Sequence, residues 1–90
     1  MNIKFKIIRF ENQINRNEHI KIVGFNVLNE DDESSTIYHE TILNQDEILN
    51  KSPEECVDLA FSKLSGSIAS SVNKIKSYEG NLIGAYYIPS

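Results

Sequence analysis

The only two histidines in the sequence, His19 and His39, are the side chains best suited to general-base catalysis or metal binding. Glu18 and Glu40 adjoin them in sequence. Neighbouring residues of a strand point to opposite faces, so neither histidine shares a site with the adjoining glutamate in a regular strand. Pairing of the second and third predicted strands sets His39 opposite Phe25, away from His19. We therefore predict surface histidines without a metal or catalytic role.

Cys56 is the single thiol of the chain. One cysteine forms no intrachain disulfide and supplies too few ligands for a cysteine zinc site. The carboxylates of Glu54, Glu55 and Asp58 disfavour a reactive thiolate, so we predict an inert, partly buried cysteine. The sequence has no glycine-rich phosphate loop, serine elbow or HExxH motif. These observations predict a protein that is not an enzyme and uses no cofactor.

A run of four acidic residues, 30–33, invites a calcium interpretation. A calcium-binding loop needs oxygen ligands spaced along a folded-back chain, a glycine at the bend and a distant bidentate glutamate. This run has neither the glycine nor the distant glutamate. We therefore predict a solvated loop rather than a metal site.

Charge is distributed unevenly along the chain. Residues 1–28 carry a net charge of +3, residues 29–60 a net −9 and residues 61–90 a net +2, within a total of −4. This segregation suggests an acidic lobe that docks on a basic protein, as an inhibitor that mimics nucleic acid would. The predicted lobe comprises Glu30, Asp31, Asp32, Glu33, Asp46, Glu47, Glu54 and Glu55.

A basic N-terminal segment supports another alternative, a nucleic-acid-binding module. Its cations would be Lys4, Lys6, Arg9 and Lys21, with Tyr86 or Tyr87 stacking on bases. Against this alternative, the net charge of −4 repels phosphate, and apolar residues occupy the same strands. The sequence therefore disfavours nucleic acid as a partner.

Alternating apolar and polar residues predict strands over 3–10, 19–28, 36–43 and 82–88. Gly24 in the second strand indicates a bulge or a close backbone approach. Polar loops are predicted over 11–17 and 29–35. In the first strand, Ile3, Phe5 and Ile7 are expected on a buried face.

A single long helix is predicted from Ser52, which with Glu55 forms a capping box, while Pro53 suits the first helical position. One apolar stripe follows at helical spacing: Val57, Phe61, Leu64, Ile68, Val72 and Ile75. The predicted fold is α+β, a β-β-β-α-β chain forming one domain over residues 1–90. Its mixed or antiparallel sheet has about four strands, with the helix packed on one face.

The helix surface away from this stripe is uncharged. It consists of Leu59, Ser62, Gly66, Ala69 and Asn73. An ordinary solvated helix carries lysine and glutamate there, whereas small uncharged residues permit close approach of another element. We therefore predict an interface on this surface, used for self-association into a homodimer or for binding an unidentified protein.

Composition indicates the origin and location of the protein. Isoleucine, asparagine and lysine make up 30 of the 90 residues, which suggests an AT-rich bacterial or phage genome. No apolar run approaches the roughly 20 residues that cross a bilayer, and the N-terminus does not resemble a signal peptide. We therefore expect a cytoplasmic accessory protein that acts through protein–protein contacts.

Overall fold

Three antiparallel strands and three helices form the part of the chain that the computed structural model describes, residues 2–30, 32–78 and 88–89. The strands are β1 (Ile3–Asn15), β2 (Glu18–Asn29) and β3 (Asp32–Leu43); the helices are α1 (Gln45–Ile48), α2 (Pro53–Lys63) and α3 (Ser65–Tyr78). The sheet order is β1-β2-β3. The fold is α+β, as predicted, while the predicted fourth strand over 82–88 lies, apart from Ile88, outside the described residues.

The β1–β2 hairpin is longer than the sequence predicts. Both strands continue to the pair Asn15 and Glu18, leaving a turn of two residues, Arg16 and Asn17. Their φ angles are 50° and 66°, as a two-residue turn of type I′ requires at both positions. Asparagine tolerates this left-handed conformation. The predicted loop over 11–17 is therefore reduced to its last two residues.

The β2–β3 register agrees with the prediction, with Phe25 opposite His39 and Gly24 opposite Glu40. Pairing continues, with a register shift, to Asn29 opposite Asp32. Because the backbone ladder extends this far, the segment predicted as a loop over 29–35 is largely strand.

A bulge in β1 lies opposite Gly24. The register passes from Ile7 opposite Phe25 to Arg9 opposite Gly24, so Ile8 is an additional residue. This shift places Phe10, opposite Val23, on the same face as Ile7. The prediction of an irregularity at Gly24 is confirmed.

The predicted long helix is two helices. Ser52 and Glu55 form the expected capping box at the start of α2. Helix α2 ends at Lys63; the φ and ψ of its C-cap, Leu64, are −96° and 0°, which depart from helical values, and α3 begins at the next residue. The serines and Gly66 after this break are weak helix formers, so intrinsic propensity does not hold a continuous helix there.

The helices pack on one face of the sheet, termed here the helix face. Two buried clusters fill this contact: Val23, Phe25, Leu43, Cys56 and Ala60, and Val27, Ile68 and Ile75. All six residues of the predicted stripe belong to these clusters or pack against them. Cys56 is fully buried, deeper than predicted.

The opposite face, termed the open face, carries the remaining side chains of β2, including Ile20, Ile22 and Leu28. The molecule is elongated, with extents of 60 × 22 × 19 Å and a radius of gyration of 17.1 Å. A compact domain of this length has a radius near ~12 Å. On the open face, Ile20, Ile22 and Leu28 are nevertheless only 8%, 7% and 5% exposed, so the central strand is buried on both faces. In the described part of the chain, no helix has the length and apolarity to cross a membrane.

Candidate functional site

The two histidines lie far apart. His19 pairs with Ile14 near the β1–β2 turn, whereas His39 pairs with Phe25, six residues further along β2. Six residues of strand span about 20 Å, so the imidazoles do not share a site. Among the described residues, no three histidine, cysteine or acidic side chains are grouped to hold a metal ion.

His39 contacts a serine instead of an acid. Its Nε2 atom is hydrogen-bonded to the Oγ atom of Ser71 on α3. A histidine and a serine in this contact resemble a general base and its nucleophile. Ser71 lies on the buried side of α3 and is only 4% exposed, so a substrate cannot reach its hydroxyl. The pair therefore fastens α3 to β3.

A polar network crosses the open face above β2. Arg9 Nη1 donates to Glu40 Oε2 at 2.7 Å, and Arg9 Nη2 donates to Glu11 Oε2 at 3.1 Å. The Tyr38 hydroxyl also donates to Glu40 Oε2, at 2.8 Å, and the Gln13 amide reaches Glu11 at 3.4 Å. Of these bonds, the one between Arg9 and Glu40 joins the two outer strands, and it passes over Gly24, which has no side chain of its own.

The charged groups of this network shift one another's pKa values in the directions that favour their charged forms. Hydrogen bonds to Glu11 and Glu40 raise the pKa of Arg9 above its usual range. The Arg9 guanidinium lowers the pKa of Glu11, while Tyr38 and Arg9 together lower that of Glu40. Burial, followed by the bond to Glu40, raises the pKa of Tyr38. None of these shifts gives a neutral base or a reactive nucleophile near neutral pH, so the network acts as a cross-strand clamp.

Of the basic residues proposed for nucleic-acid binding, Lys4, Lys6 and Arg9 lie on the open face and Lys21 lies on the helix face. Lys4 forms an ion pair with Glu30 at 2.6 Å, and Arg9 is held by the open-face network. Lys21 lies on the helix face, with Nζ 4.5 Å from the ring centre of Phe10. The cations are thus divided between two faces, and Tyr86 and Tyr87 lie outside the described residues.

The acidic residues form two groups instead of the single predicted lobe. Glu30 precedes β3, Asp32 and Glu33 begin it, and Asp31 lies outside the described residues, whereas the group at 46–55 follows the end of β3. The twelve residues of β3 separate them by about 40 Å. Glu47 and Glu55 also belong to helix capping boxes. The Asn44 backbone N–H and then Lys63 lower the pKa of Glu47.

Four of the five residues of the predicted helix interface are exposed, and the five are divided between two helices. Leu59 packs against the buried core, so it is not the exposed leucine that the sequence suggests. Ser62, Gly66, Ala69 and Asn73 are exposed. The break at Leu64 divides this set between α2 and α3, so it does not form the single stripe expected of one continuous helix.

Among the described residues, the largest row of exposed apolar side chains is on β1, which the sequence predicts to have a buried face. It consists of Phe5 (43% exposed), Ile7 (49%), Ile8 (47%), Phe10 (38%) and Ile14 (69%). The helices lie chiefly over β2 and β3, so β1 receives little cover. Phe5 does contact the Phe61 ring, with the ring centres 5.0 Å apart.

A groove of about 460 Å³ separates β1 from the first half of α2. Its walls are mainly apolar, and two carboxylates belong to the α2 side. The lining residues are Ile7, Phe10, Pro53, Glu54, Val57 and Asp58. The sequence does not reveal this groove, because strand alternation identifies an apolar face without showing how far a helix covers it.

Comparison of the sequence with models of protein families, with curated proteins and with solved structures finds no match. A functional conclusion therefore depends on the geometry of the described surfaces, and above all on the apolar row of β1 and its groove.

Proposed function

We propose that this protein acts by protein–protein interaction, without enzymatic activity, and that it self-associates as a dimer. The observation that carries the proposal is the row of half-exposed apolar side chains along β1, beside the groove at α2. The sequence composition adds the proposal that it is a cytoplasmic accessory protein of bacterial or phage origin.

The apolar surface that β1 exposes to water would stabilise a dimer if a partner covered it. Burying the exposed half of an isoleucine or phenylalanine side chain contributes roughly 1 kcal/mol. Phe5, Ile7 and Phe10 lie on one face of β1, so one partner surface can cover all three. Contiguous apolar surface of this kind is typical of interaction sites on small soluble proteins.

The two alternative functions receive less support from the arrangement of charges. An acidic inhibitor would present its carboxylates together, whereas here they lie at both ends of β3. A nucleic-acid-binding module would present free cations on one face, whereas Arg9 is paired with carboxylates and Lys21 lies on the other face. Protein–protein contact through β1 requires neither arrangement.

Sedimentation velocity over a wide concentration range tests the proposal. We expect wild-type protein to shift from monomer to dimer as its concentration rises. We expect Phe10→Ser to raise the dissociation constant about tenfold, the equivalent of ~1.4 kcal/mol. Leu49→Ser is the matched control, because Leu49 is 65% exposed but lies away from β1. A wild-type protein that remains monomeric throughout would contradict self-association.

A further inference from the structure

We propose that residues 9–15 of β1 pair, antiparallel, with the same residues of a second copy, about a two-fold axis at Asn12. The two three-stranded sheets would then form one six-stranded sheet. This inference rests on the proposed self-association and specifies the partner, the strand edge and the register.

Within residues 2–30, 32–78 and 88–89, the outer edge of β1 carries no neighbouring strand. β2 occupies its inner edge. The two-residue turn is closed by hydrogen bonds between the flanking residues, Asn15 and Glu18. Backbone groups alternate between the two edges of a strand. Phe10, Asn12 and Ile14 therefore direct their N–H and C=O groups away from β2.

A two-fold axis at Asn12 matches these outward groups. Asn12 then lies opposite Asn12 of the second copy, and Phe10 lies opposite the second copy's Ile14. The three residues whose backbone N–H and C=O groups point away from β2 therefore lie opposite the same three residues of the second copy. Every pair can exchange two backbone hydrogen bonds, as the hydrogen-bonded pairs of an antiparallel ladder do.

The side chains agree with this register. Phe10, Asn12 and Ile14 pair with Val23, Lys21 and His19, so all three are on the helix face. Pairing brings Ile14, 69% exposed, beside Phe10 of the other copy at the mouth of its groove. Each copy thus supplies one apolar side chain to the apolar wall of the partner's groove.

Charge disfavours dimer pairing through residues 3–7 of β1, before the bulge, and favours pairing through residues 9–15. A two-fold axis at Phe5 would set Lys4 opposite Lys6 of the second copy, an unfavourable like-charge pair. The bulge at Ile8 further interrupts a regular ladder there. In the register centred on Asn12, by contrast, Glu11 lies opposite Gln13.

The turn residue Arg16 would bring a positive charge close to the acidic residues of the partner's groove. In this register it falls opposite Ile8 of the second copy, at the level of the groove. Two carboxylates, Glu54 and Asp58, line that groove, and within the described residues neither takes part in an ion pair. A cation from the partner therefore complements this acidic rim.

Disulfide trapping tests the register. With the axis at Asn12, two Asn12→Cys residues have their Cα atoms about 5.5 Å apart, within disulfide range. Two Gln13→Cys residues lie about 8 Å apart, beyond that range. We expect mild oxidation to link Asn12→Cys into dimers several times faster than the Gln13→Cys control. The native Cys56 is fully buried, so wild-type protein should remain unlinked.

A second pair of variants tests the edge without a crosslink. Ile14→Lys should raise the dissociation constant of the dimer at least tenfold, whereas Ile42→Lys, at a similarly exposed isoleucine of β3, should leave it unchanged. A wild-type dimer that tolerates Ile14→Lys, or that links both cysteine variants equally, would overturn this register and leave self-association standing. A wild-type monomer would overturn both proposals.

Discussion

The ring of Tyr38 occupies the space above Gly24 in which a β-carbon would stand. A β-carbon built there would lie 2.7 Å from two ring atoms of Tyr38 and would also overlap its hydroxyl oxygen. Because glycine leaves this space empty, the hydroxyl reaches Glu40 at 2.8 Å, and Arg9 reaches the same carboxylate from β1. The absence of one side chain on the central strand thus allows the outer strands to be linked.

Gly24→Ala should therefore displace the Tyr38 ring. We expect the pKa of Tyr38 to fall towards its usual value, because the displaced ring loses its burial and its bond to Glu40. The substitution should destabilise wild-type protein by about 1 kcal/mol more than it destabilises a Tyr38→Ala variant. Chemical denaturation of the four proteins of this double-mutant cycle measures that coupling. Equal effects in both backgrounds would contradict the contact.

The open-face network predicts how stability depends on pH. Folding lowers the pKa of Glu40 and Glu11 below the ordinary value of a glutamate, so their contribution to stability is complete above that value and is lost as pH falls through the folded pKa. Glu40→Gln should therefore differ from wild type in its free energy of unfolding near neutral pH and converge with it in acid.

Urea denaturation from about pH 7 to about pH 3 measures this convergence. Glu18→Gln is the control, because Glu18 is exposed beside the β1–β2 turn and takes no part in the network. A Glu40→Gln curve parallel to the wild-type curve over the whole range would show that the ion pairs contribute nothing to folding.

The contact between His39 and Ser71 predicts a difference between two serines of α3. Ser71→Ala removes the buried hydroxyl that meets His39 and should destabilise the protein by about 1 kcal/mol. The neighbouring Ser70 is exposed, so Ser70→Ala should be neutral or slightly stabilising, because alanine is the better helix former. Thermal unfolding of both variants gives the comparison. Equal transition temperatures would show that the His39 contact does not fasten the helix.

Local sequence rules accounted for the central strand and the helix start. Strand alternation identified Val23, Phe25 and Val27 as one face, and the loop position set His39 opposite Phe25. The capping box at Ser52 depends on residues three positions apart, so it could be recognised without tertiary information. These features are decided by neighbours in sequence.

Features that depend on tertiary placement were not accessible in this way. Ile7 alternates like a buried strand residue, but whether a helix covers it depends on where α2 lies across the sheet. The break at Leu64 likewise escaped notice, because the apolar spacing continues through it. The candidate site, the apolar row of β1 and its groove, arises from that incomplete cover.

Gly66 gives a final prediction that separates the two candidate association surfaces. Nothing in the described structure lies within 4 Å of a β-carbon built there, and the residue belongs to the first turn of α3. Gly66→Ala should therefore stabilise the protein by roughly 0.5–1 kcal/mol, because alanine restricts the unfolded chain and favours helix.

Gly66→Lys uses the same open position to place a charge on the helix surface that the sequence suggests as an interface. If the dimer forms through β1, the lysine remains in solvent, and the dissociation constant from sedimentation should equal that of Gly66→Ala. If the dimer forms through the helices, the buried ammonium should weaken it at least tenfold, because a charge without a partner is costly to desolvate. Because both variants carry a β-carbon at this position, the comparison isolates the charge, and a weakened Gly66→Lys dimer would assign the interface to α2 and α3.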